Sequence, residues 1–122
     1  MGRQQPLRVL VAEDEWIIGE DLCNTVAEAG YIVEGPYDDI SSAMLAYQKI
    51  KPDIAILDVQ LGDGIVYPLA EQMIAENVEV IFHSGQLTPE EVAIRFPSAQ
   101  ALQKPCPPAE VIHSIQRAAA FS

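Results

Sequence analysis

The stretch Asp53-Ile54-Ala55-Ile56-Leu57-Asp58 places four apolar residues between two acids, directly after the helix breaker Lys51-Pro52. A short run that is apolar at every position is typical of a strand buried on both faces, as in a parallel sheet covered by helices. Asp58 follows the last apolar residue, so it lies where the strand ends. In open α/β sheets, ligands bind beyond the carboxyl ends of the strands. The stretch therefore predicts a parallel α/β domain with a candidate functional acid at Asp58.

The composition indicates one globular domain. The chain has 122 residues, 49% of them hydrophobic, which is enough for a core without disulfide or metal staples. Its formal charge of −11 disfavours binding to nucleic acid or to an anionic membrane surface. The sequence has two cysteines far apart, no apolar run of membrane-spanning length and no recognisable signal peptide. We therefore expect the protein to be located in the reducing cytoplasm. We expect a single domain over 1–122, with its core at about 7–120, although excision from a longer protein fits the sequence as well.

Strand and helix patterns alternate five times along the chain. Strands are expected at residues 7–12, 31–35, 53–58, 78–83 and 99–103. Helices are expected after each of them, at about 16–29, 40–50, 65–76, 89–95 and 108–119. Thr88-Pro89-Glu90-Glu91 combines a capping Thr, a first-turn Pro and a Glu three residues after the Thr, which predicts the start of the fourth helix. Five alternations predict a parallel sheet with helices on both faces.

Polar residues follow four of the predicted strands, namely Glu13 and Asp14, Asp58, Ser84, and Lys104. If the first and third strands are neighbours, three carboxylates converge and repel one another unless a divalent cation lies between them. Mg²⁺ prefers such oxygen ligands, and Mn²⁺ is the alternative ion. A carboxylate can accept a phosphoryl group, whose oxygens a lysine and a hydroxyl can bind. The residues themselves therefore predict metal-assisted phosphoryl transfer to an aspartate.

Four segments, taken in order, resemble the receiver domain of two-component response regulators. They are Val9-Leu10-Val11-Ala12-Glu13-Asp14-Glu15, Ile56-Leu57-Asp58, Ile81-Phe82-His83-Ser84-Gly85 and Lys104-Pro105. The resemblance runs from Leu7 to the end of the chain. It implies a flavodoxin-like (βα)5 three-layer sandwich with a five-stranded parallel sheet in the order 2-1-3-4-5. It also implies a single-domain response regulator whose Asp58 accepts phosphate from a histidine kinase or a phosphotransfer protein.

The resemblance implies roles for the other site residues as well. Glu13, Asp14 and Asp58 would hold Mg²⁺ together with the backbone carbonyl of Gln60. Ser84 and Lys104 would bind the phosphoryl oxygens. Such a protein is not an enzyme for other substrates, since it only phosphorylates and dephosphorylates its own aspartate. It would signal, as a monomer or weak homodimer, through contacts with a downstream protein that the sequence does not identify.

The sequence departs from the receiver pattern in three places. Most receivers carry a Tyr or Phe two residues before the lysine, where this chain has Leu102, and that aromatic moves inward as the Ser or Thr moves. Leucine has neither ring nor hydroxyl, so we expect Leu102 to pack under the short fourth helix instead. Gly62 replaces a common Pro in the loop after Asp58, which predicts a mobile loop before Mg²⁺ binds. The fourth helix is short and the fifth strand polar, so we expect the output face to be reshaped.

Four further residues have simpler interpretations than a catalytic role. Trp16, at the start of a helix, is expected to pack and to report metal binding by its fluorescence. His83 is expected to be a partly exposed residue at the end of a strand. Cys106 is expected to be a small apolar filler. Asp63 is expected to cap or turn its loop rather than to bind metal.

Two other functions compete with the phosphorylated receiver. A pseudo-receiver would keep the fold and signal by protein contact without phosphate, which Leu102 and the altered loop favour and the intact polar set opposes. A phosphatase with an aspartyl nucleophile would commonly need a second Asp two residues after the first as acid and base. Gln60 occupies that position, so the phosphatase is the weakest of the three hypotheses.

Overall fold

The computed structural model describes residues 6–85 and 88–120. Within these ranges the strands are β1 (Arg8–Ala12), β2 (Ile32–Tyr37), β3 (Ile54–Leu57), β4 (Gln60–Leu61), β5 (Gly64–Ile65), β6 (Glu79–Ser84) and β7 (Gln100–Gln103). The helices are α1 (Trp16–Glu28), α2 (Ile40–Lys49), α3 (Tyr67–Ala75), α4 (Pro89–Arg95) and α5 (Pro108–Ala119). None of these helices is long and apolar enough to cross a membrane.

Five strands form one parallel sheet in the order β2-β1-β3-β6-β7. The two shortest strands, β4 and β5, form a separate antiparallel hairpin between β3 and α3. Apart from that hairpin, the order is the predicted 2-1-3-4-5, and the predicted flavodoxin-like fold is confirmed. Ala12 lies opposite Leu57 in the ladder of β1 and β3, so the residues that follow these two strands meet at one edge.

The sheet carries an apolar layer on each face. One layer packs under α2, α3 and α4, and the other packs under α1 and α5. Along β3, Ile54 and Ile56 enter the α1/α5 layer, whereas Ala55 and Leu57 enter the opposite one, and all four are fully buried. Each buried Ile or Leu side chain contributes about 2 kcal/mol to the free energy of unfolding. The expectation that this strand is covered on both faces is therefore confirmed.

The second strand is longer than its sequence suggested. It was expected to close at Gly35-Pro36, but β2 continues through these residues to Tyr37. Gly35 has a φ of 123°, and a Cβ there would lie 2.4 Å from the carbonyl oxygen of Val11, so glycine permits the close approach of β2 to β1. The extension matters for the acidic edge, because the backbone N–H of Glu13 donates to the carbonyl of Tyr37 at 2.8 Å.

The loop after β3 also has more structure than expected. It forms the β4–β5 hairpin, and α3 begins at Tyr67 rather than near residue 65. Asp63, at the hairpin turn, accepts hydrogen bonds from the backbone N–H groups of Ile40 at 2.6 Å and Ser41 at 3.2 Å. It thus caps the start of α2, which agrees with the capping role expected for it.

Helix α1 buries a narrow stripe of three residues. Gly19, Leu22 and Val26 are its buried residues, at a spacing of three and four. Trp16 is 67% exposed and Ile17 is 75% exposed, so the expectation that Trp16 packs is wrong. Both lie in the first turn, outside the stripe formed by the three buried residues.

Candidate functional site

Three acids meet at the carboxyl ends of β1 and β3. Glu13 and Asp14 directly follow β1, and Asp58 directly follows β3. The backbone N–H of Asp58 donates to the carbonyl of Ala12 at 2.9 Å, which continues the ladder one residue beyond the strand. One carboxylate oxygen from each acid lies within 4.8 Å of the others. Glu13 and Asp58 are buried and Asp14 is exposed, so the cluster is open to solvent on one side.

Lys104 enters this cluster from the end of β7. Its backbone N–H donates to the carbonyl of Ser84 at 3.0 Å, which aligns the chain after β7 with the end of β6. Its Nζ lies 2.8 Å from Oε1 of Glu13, 2.9 Å from Oδ2 of Asp58 and 3.5 Å from Oε1 of Glu15. One ammonium group therefore contacts three carboxylates, which leaves an excess of negative charge at this edge.

The pKa values of the clustered acids reflect that excess. Burial raises the pKa of Asp58 to about 6, and the neighbouring Glu13 carboxyl adds to the rise, whereas Lys104 opposes it. Burial also favours the neutral form of Glu13, but the neighbouring His83, Asp58 and Lys104 side chains outweigh it and lower the pKa of this residue to about 2. The pKa of Asp14 is raised by burial and by the charge of Glu13.

The donor set fits a hard divalent cation. Three carboxylate oxygens within one ion's reach are the ligands that Mg²⁺ takes, and the open side leaves room for water or phosphate oxygens. Binding of a cation would also favour the ionised form of Asp58, whose pKa is raised by burial and by the neighbouring Glu13 carboxyl. Gln60 lies beside the cluster, since its backbone N–H donates to Oδ1 of Asp58 at 3.3 Å. Its carbonyl as a further ligand stays a prediction.

Ser84 lies at the same edge of the sheet. It is the last residue of β6, is 4% exposed and stands opposite Gln103 in the ladder with β7. The fold therefore brings all the sequence-predicted polar residues, from four strands, to one edge. Their chemical roles remain predictions.

Leu102 does not lie where it was expected. It packs against the α1/α5 apolar layer, not under α4. The neighbouring Ala101 packs on the other face, in the layer that contains Val92 and Phe96 of the α4 segment. The expectation for Leu102 is wrong because adjacent residues of a strand point to opposite faces, and the β7 residue that faces α4 is Ala101.

Aromatic side chains fill the α4 side from elsewhere in the chain. Phe82 stands opposite Ala101 in the ladder of β6 and β7. Its ring centroid lies 5.0 Å from that of Phe96 and 6.0 Å from that of Tyr67, and the Arg95 guanidinium lies 4.4 Å above the Tyr67 ring. An alanine in β7 is thus accompanied by a packed aromatic cluster on the same face.

The environment of His83 differs most from the one predicted from the sequence. It was expected to be partly exposed, but it is only 4% exposed. Its Nδ1 lies 3.7 Å from Oε1 of Glu13. The signal was present in the strand pattern, because His83 shares a face of β6 with the fully buried Ile81. Cys106 is half-buried against the α1/α5 layer, in agreement with its expected role as a filler.

The comparisons with known proteins agree with this geometry. No family model matches the chain. The transcriptional regulatory protein PdtaR of Mycobacterium tuberculosis is 42% identical over 62 residues, which are 49% of this chain and 30% of PdtaR. The chemotaxis protein CheY of Thermotoga maritima is 27% identical over 114 residues, which are 90% of this chain and 95% of CheY. The chain therefore spans less than a third of the first relative and nearly all of the second.

A solved structure supports the same conclusion over the whole chain. The response-regulator REC domain of Erythrobacter litoralis PhyR superposes with a TM-score of 0.85 at 28% identity, covering 99% of this chain and 95% of that one. The sequence-based recognition of a response-regulator receiver domain is thereby confirmed.

Proposed function

We propose that this receiver domain signals by accepting a phosphoryl group on Asp58, with Mg²⁺ as its cofactor. The observation that carries the proposal is Lys104, whose ammonium contacts both Glu13 and Asp58 while Asp14 completes a carboxylate cluster within 4.8 Å. We propose a single domain over the whole chain, acting in the reducing cytoplasm. A histidine kinase or a phosphotransfer protein would supply the phosphate, and a further protein would recognise the product.

The chain's own residues provide most of what the transfer needs. Asp58 must be ionised to attack, and the Lys104 ammonium at 2.9 Å favours that form. A carboxylate oxygen of Asp58 forms a bond to phosphorus while the donor's bond to phosphorus breaks, and the donor leaves with its electron pair. Lys104 then turns from the carboxylates to a phosphoryl oxygen, and the Ser84 hydroxyl donates to another.

Glu13, Asp14, Asp58 and the carbonyl of Gln60 would hold Mg²⁺, which would neutralise charge on the phosphoryl oxygens. The ion's role is thus electrostatic, and it leaves the bond-making step to Asp58. Because the transition state is stabilised by charge and position alone, small phosphate donors should serve as well as a protein donor.

The experiment is intact mass spectrometry after incubation with acetyl phosphate and MgCl₂. We expect one phosphoryl adduct on the wild-type protein and on Asp53→Asn, and none on Asp58→Asn. Asp53 is the matched control, because it flanks the same strand at its opposite end. An adduct that persists on Asp58→Asn would overturn the assignment of the acceptor.

A second candidate is a pseudo-receiver that signals without phosphate. The observation in its favour is Ala101, a β7 residue that faces α4 without an aromatic ring. The same measurement separates the two functions. A wild-type protein that forms no acetyl phosphate adduct and binds no beryllofluoride in the presence of Mg²⁺ would favour the pseudo-receiver.

A further inference from the structure

A buried histidine lies beside the acidic cluster without a part in the transfer described above. His83 belongs to β6, and its side chain is 5% exposed. Within the described residues, its Nδ1 forms no hydrogen bond, although a buried polar nitrogen normally has a partner. The nearest charged atom recorded for it is Oε1 of Glu13, 3.7 Å away.

Glu13 is the acid that depends most on its neighbours. Its side chain is completely buried. Oε2 accepts a hydrogen bond from the backbone N–H of Glu15 at 3.1 Å, so one of the two carboxylate oxygens is supported by the backbone. Oε1 lies 2.8 Å from the Lys104 ammonium in an ion pair, but within the described residues it accepts no hydrogen bond, as Nδ1 of His83 forms none. The contact between Lys104 and Glu13 can be lost, because the lysine side chain is flexible and also contacts other carboxylates.

Phosphorylation would remove that support. In the proposed function, Lys104 turns to a phosphoryl oxygen, and Oε1 of Glu13 then loses its contact with the Lys104 ammonium. A buried carboxylate oxygen without a donor is costly, so the carboxylate would rotate or take up a proton. His83 is placed to prevent this, since a shift of ~0.8 Å would bring Nδ1 to hydrogen-bond distance of Oε1.

We propose that His83 is a positioning residue for Glu13, whose Nδ1–H holds Oε1 and keeps the carboxylate aimed at the cation when Lys104 binds the phosphoryl group. This inference rests on the proposed function and deepens it. The electrostatics of Glu13 agree, because the pKa of this carboxyl is lowered to about 2 although burial alone would raise it, and the neighbouring His83 side chain contributes to the lowering. Partners of metal ligands commonly set the orientation of the ligand in this way.

A role for His83 as a second phosphoacceptor fits the geometry less well. Its Nδ1 faces the Glu13 carboxylate in a buried environment, so a phosphoryl group that approached this atom would meet a like charge. The ring is therefore better placed to donate a hydrogen than to attack phosphorus.

The test measures how much Mg²⁺ is needed to form the beryllofluoride complex, an analogue of the phosphorylated state. Bound fluoride is followed by ¹⁹F NMR while Mg²⁺ is titrated at saturating beryllofluoride. We expect His83→Leu to raise the half-saturating Mg²⁺ concentration by about tenfold, because the ring volume is kept and the donor is lost. We expect His83→Asn, whose amide can donate from nearly the same place, to stay within about threefold of the wild type. His113→Leu, on the exposed surface of α5, is the matched control and should have no effect.

A second readout observes the hydrogen bond itself. Long-range ¹H–¹⁵N NMR spectra of the complex should show the His83 hydrogen on Nδ1, with exposed His113 as the internal reference. An unprotonated Nδ1, or a Leu variant that needs no more Mg²⁺ than the wild type, would overturn the inference and leave the proposed function intact. A wild-type protein that binds no beryllofluoride would overturn the proposed function and this inference with it.

Discussion

Asp53 and Asp58 flank the same strand and have different environments. At the amino end of β3, Oδ2 of Asp53 accepts a hydrogen bond from the backbone N–H of Arg8 at 2.9 Å. The Arg8 guanidinium turns away to Glu34, at 2.8 Å, so each acid there has a donor of its own. At the carboxyl end, Asp58 shares the ammonium of Lys104 with Glu13.

The difference teaches how a parallel sheet concentrates charge. The strands start at one edge and end at the other, so acids that follow β1 and β3 are brought together by the ladder itself. At the starting edge, an acid can satisfy a backbone N–H that the sheet leaves unpaired. At the opposite edge, where the strands end, the acids lie close to one another, and their mutual repulsion favours the binding of a cation.

The largest difference in stability between the two edges of the sheet should appear when the basic side chain at each edge, Lys104 or Arg8, is replaced. We expect Lys104→Met to lower the free energy of unfolding in EDTA by about 2 kcal/mol, because buried carboxylates lose their counter-charge. We expect Arg8→Met to cost only about 0.5 kcal/mol, since its pair with Glu34 is partly exposed. Urea denaturation of both variants measures this. Equal losses would mean that the two edges do not differ in the way described.

Replacement of Asp58 and of Asp53 by asparagine should affect the free energy of unfolding differently. We expect Asp58→Asn to stabilise the protein in EDTA at pH 7 by about 1–2 kcal/mol, because it removes an ionised group whose pKa is raised in the folded state. We expect Asp53→Asn to be neutral or slightly destabilising, since its amide oxygen can still accept from Arg8. Thermal unfolding of the two variants measures the sign. A stabilised Asp53→Asn, or a destabilised Asp58→Asn, would contradict the comparison.

The dependence of the free energy of unfolding on pH should reveal two acids of the carboxyl-end cluster, Asp58 and Glu13. The pKa of Asp58 rises from 3.8 to about 6 on folding, so the folded state binds more protons in that interval, and stability should fall as pH rises through it. Glu13 acts in the opposite direction, because its pKa is lowered, and its contribution is lost as pH falls below 4.5. Urea titrations in EDTA should therefore show a maximum between pH 4 and 5. The decline above it should become smaller in Asp58→Asn, where Asp14 still contributes through its raised pKa, and should be unchanged in Asp53→Asn.

The smallest expected effect is a change in the fluorescence of Trp16. Trp16 is mostly exposed and follows Glu15, whose carboxylate lies 3.5 Å from Lys104, so a cation at the cluster should alter its fluorescence slightly. A magnesium titration at pH 7 should give a saturable change in the wild type and in Asp53→Asn. The change should need more Mg²⁺ in Asp58→Asn, which lacks one carboxylate ligand. An identical titration of all three proteins would place the ion elsewhere.

The amino-acid sequence by itself was enough for the class of fold and the membership of the site. Alternating apolar runs and helix signals are local patterns, and the polar residues that follow each strand can be read directly, as Glu13, Asp14, Asp58, Ser84 and Lys104 were. The capping residue Thr88 is equally local and is observed as predicted. These features depend on neighbours in the chain, so the sequence contains them.

The tertiary structure decided which face each residue occupies and which atoms meet. Leu102 and Ala101 differ by one position, yet strand alternation places them in different apolar layers, and a polar strand such as β7 shows no pattern that would reveal its register. The 3.7 Å approach of His83 Nδ1 to Oε1 of Glu13 likewise joins segments that are distant in sequence. Contacts of this kind arise only when the ladders of β1, β3 and β6 are assembled, because pairing between distant segments fixes their distances.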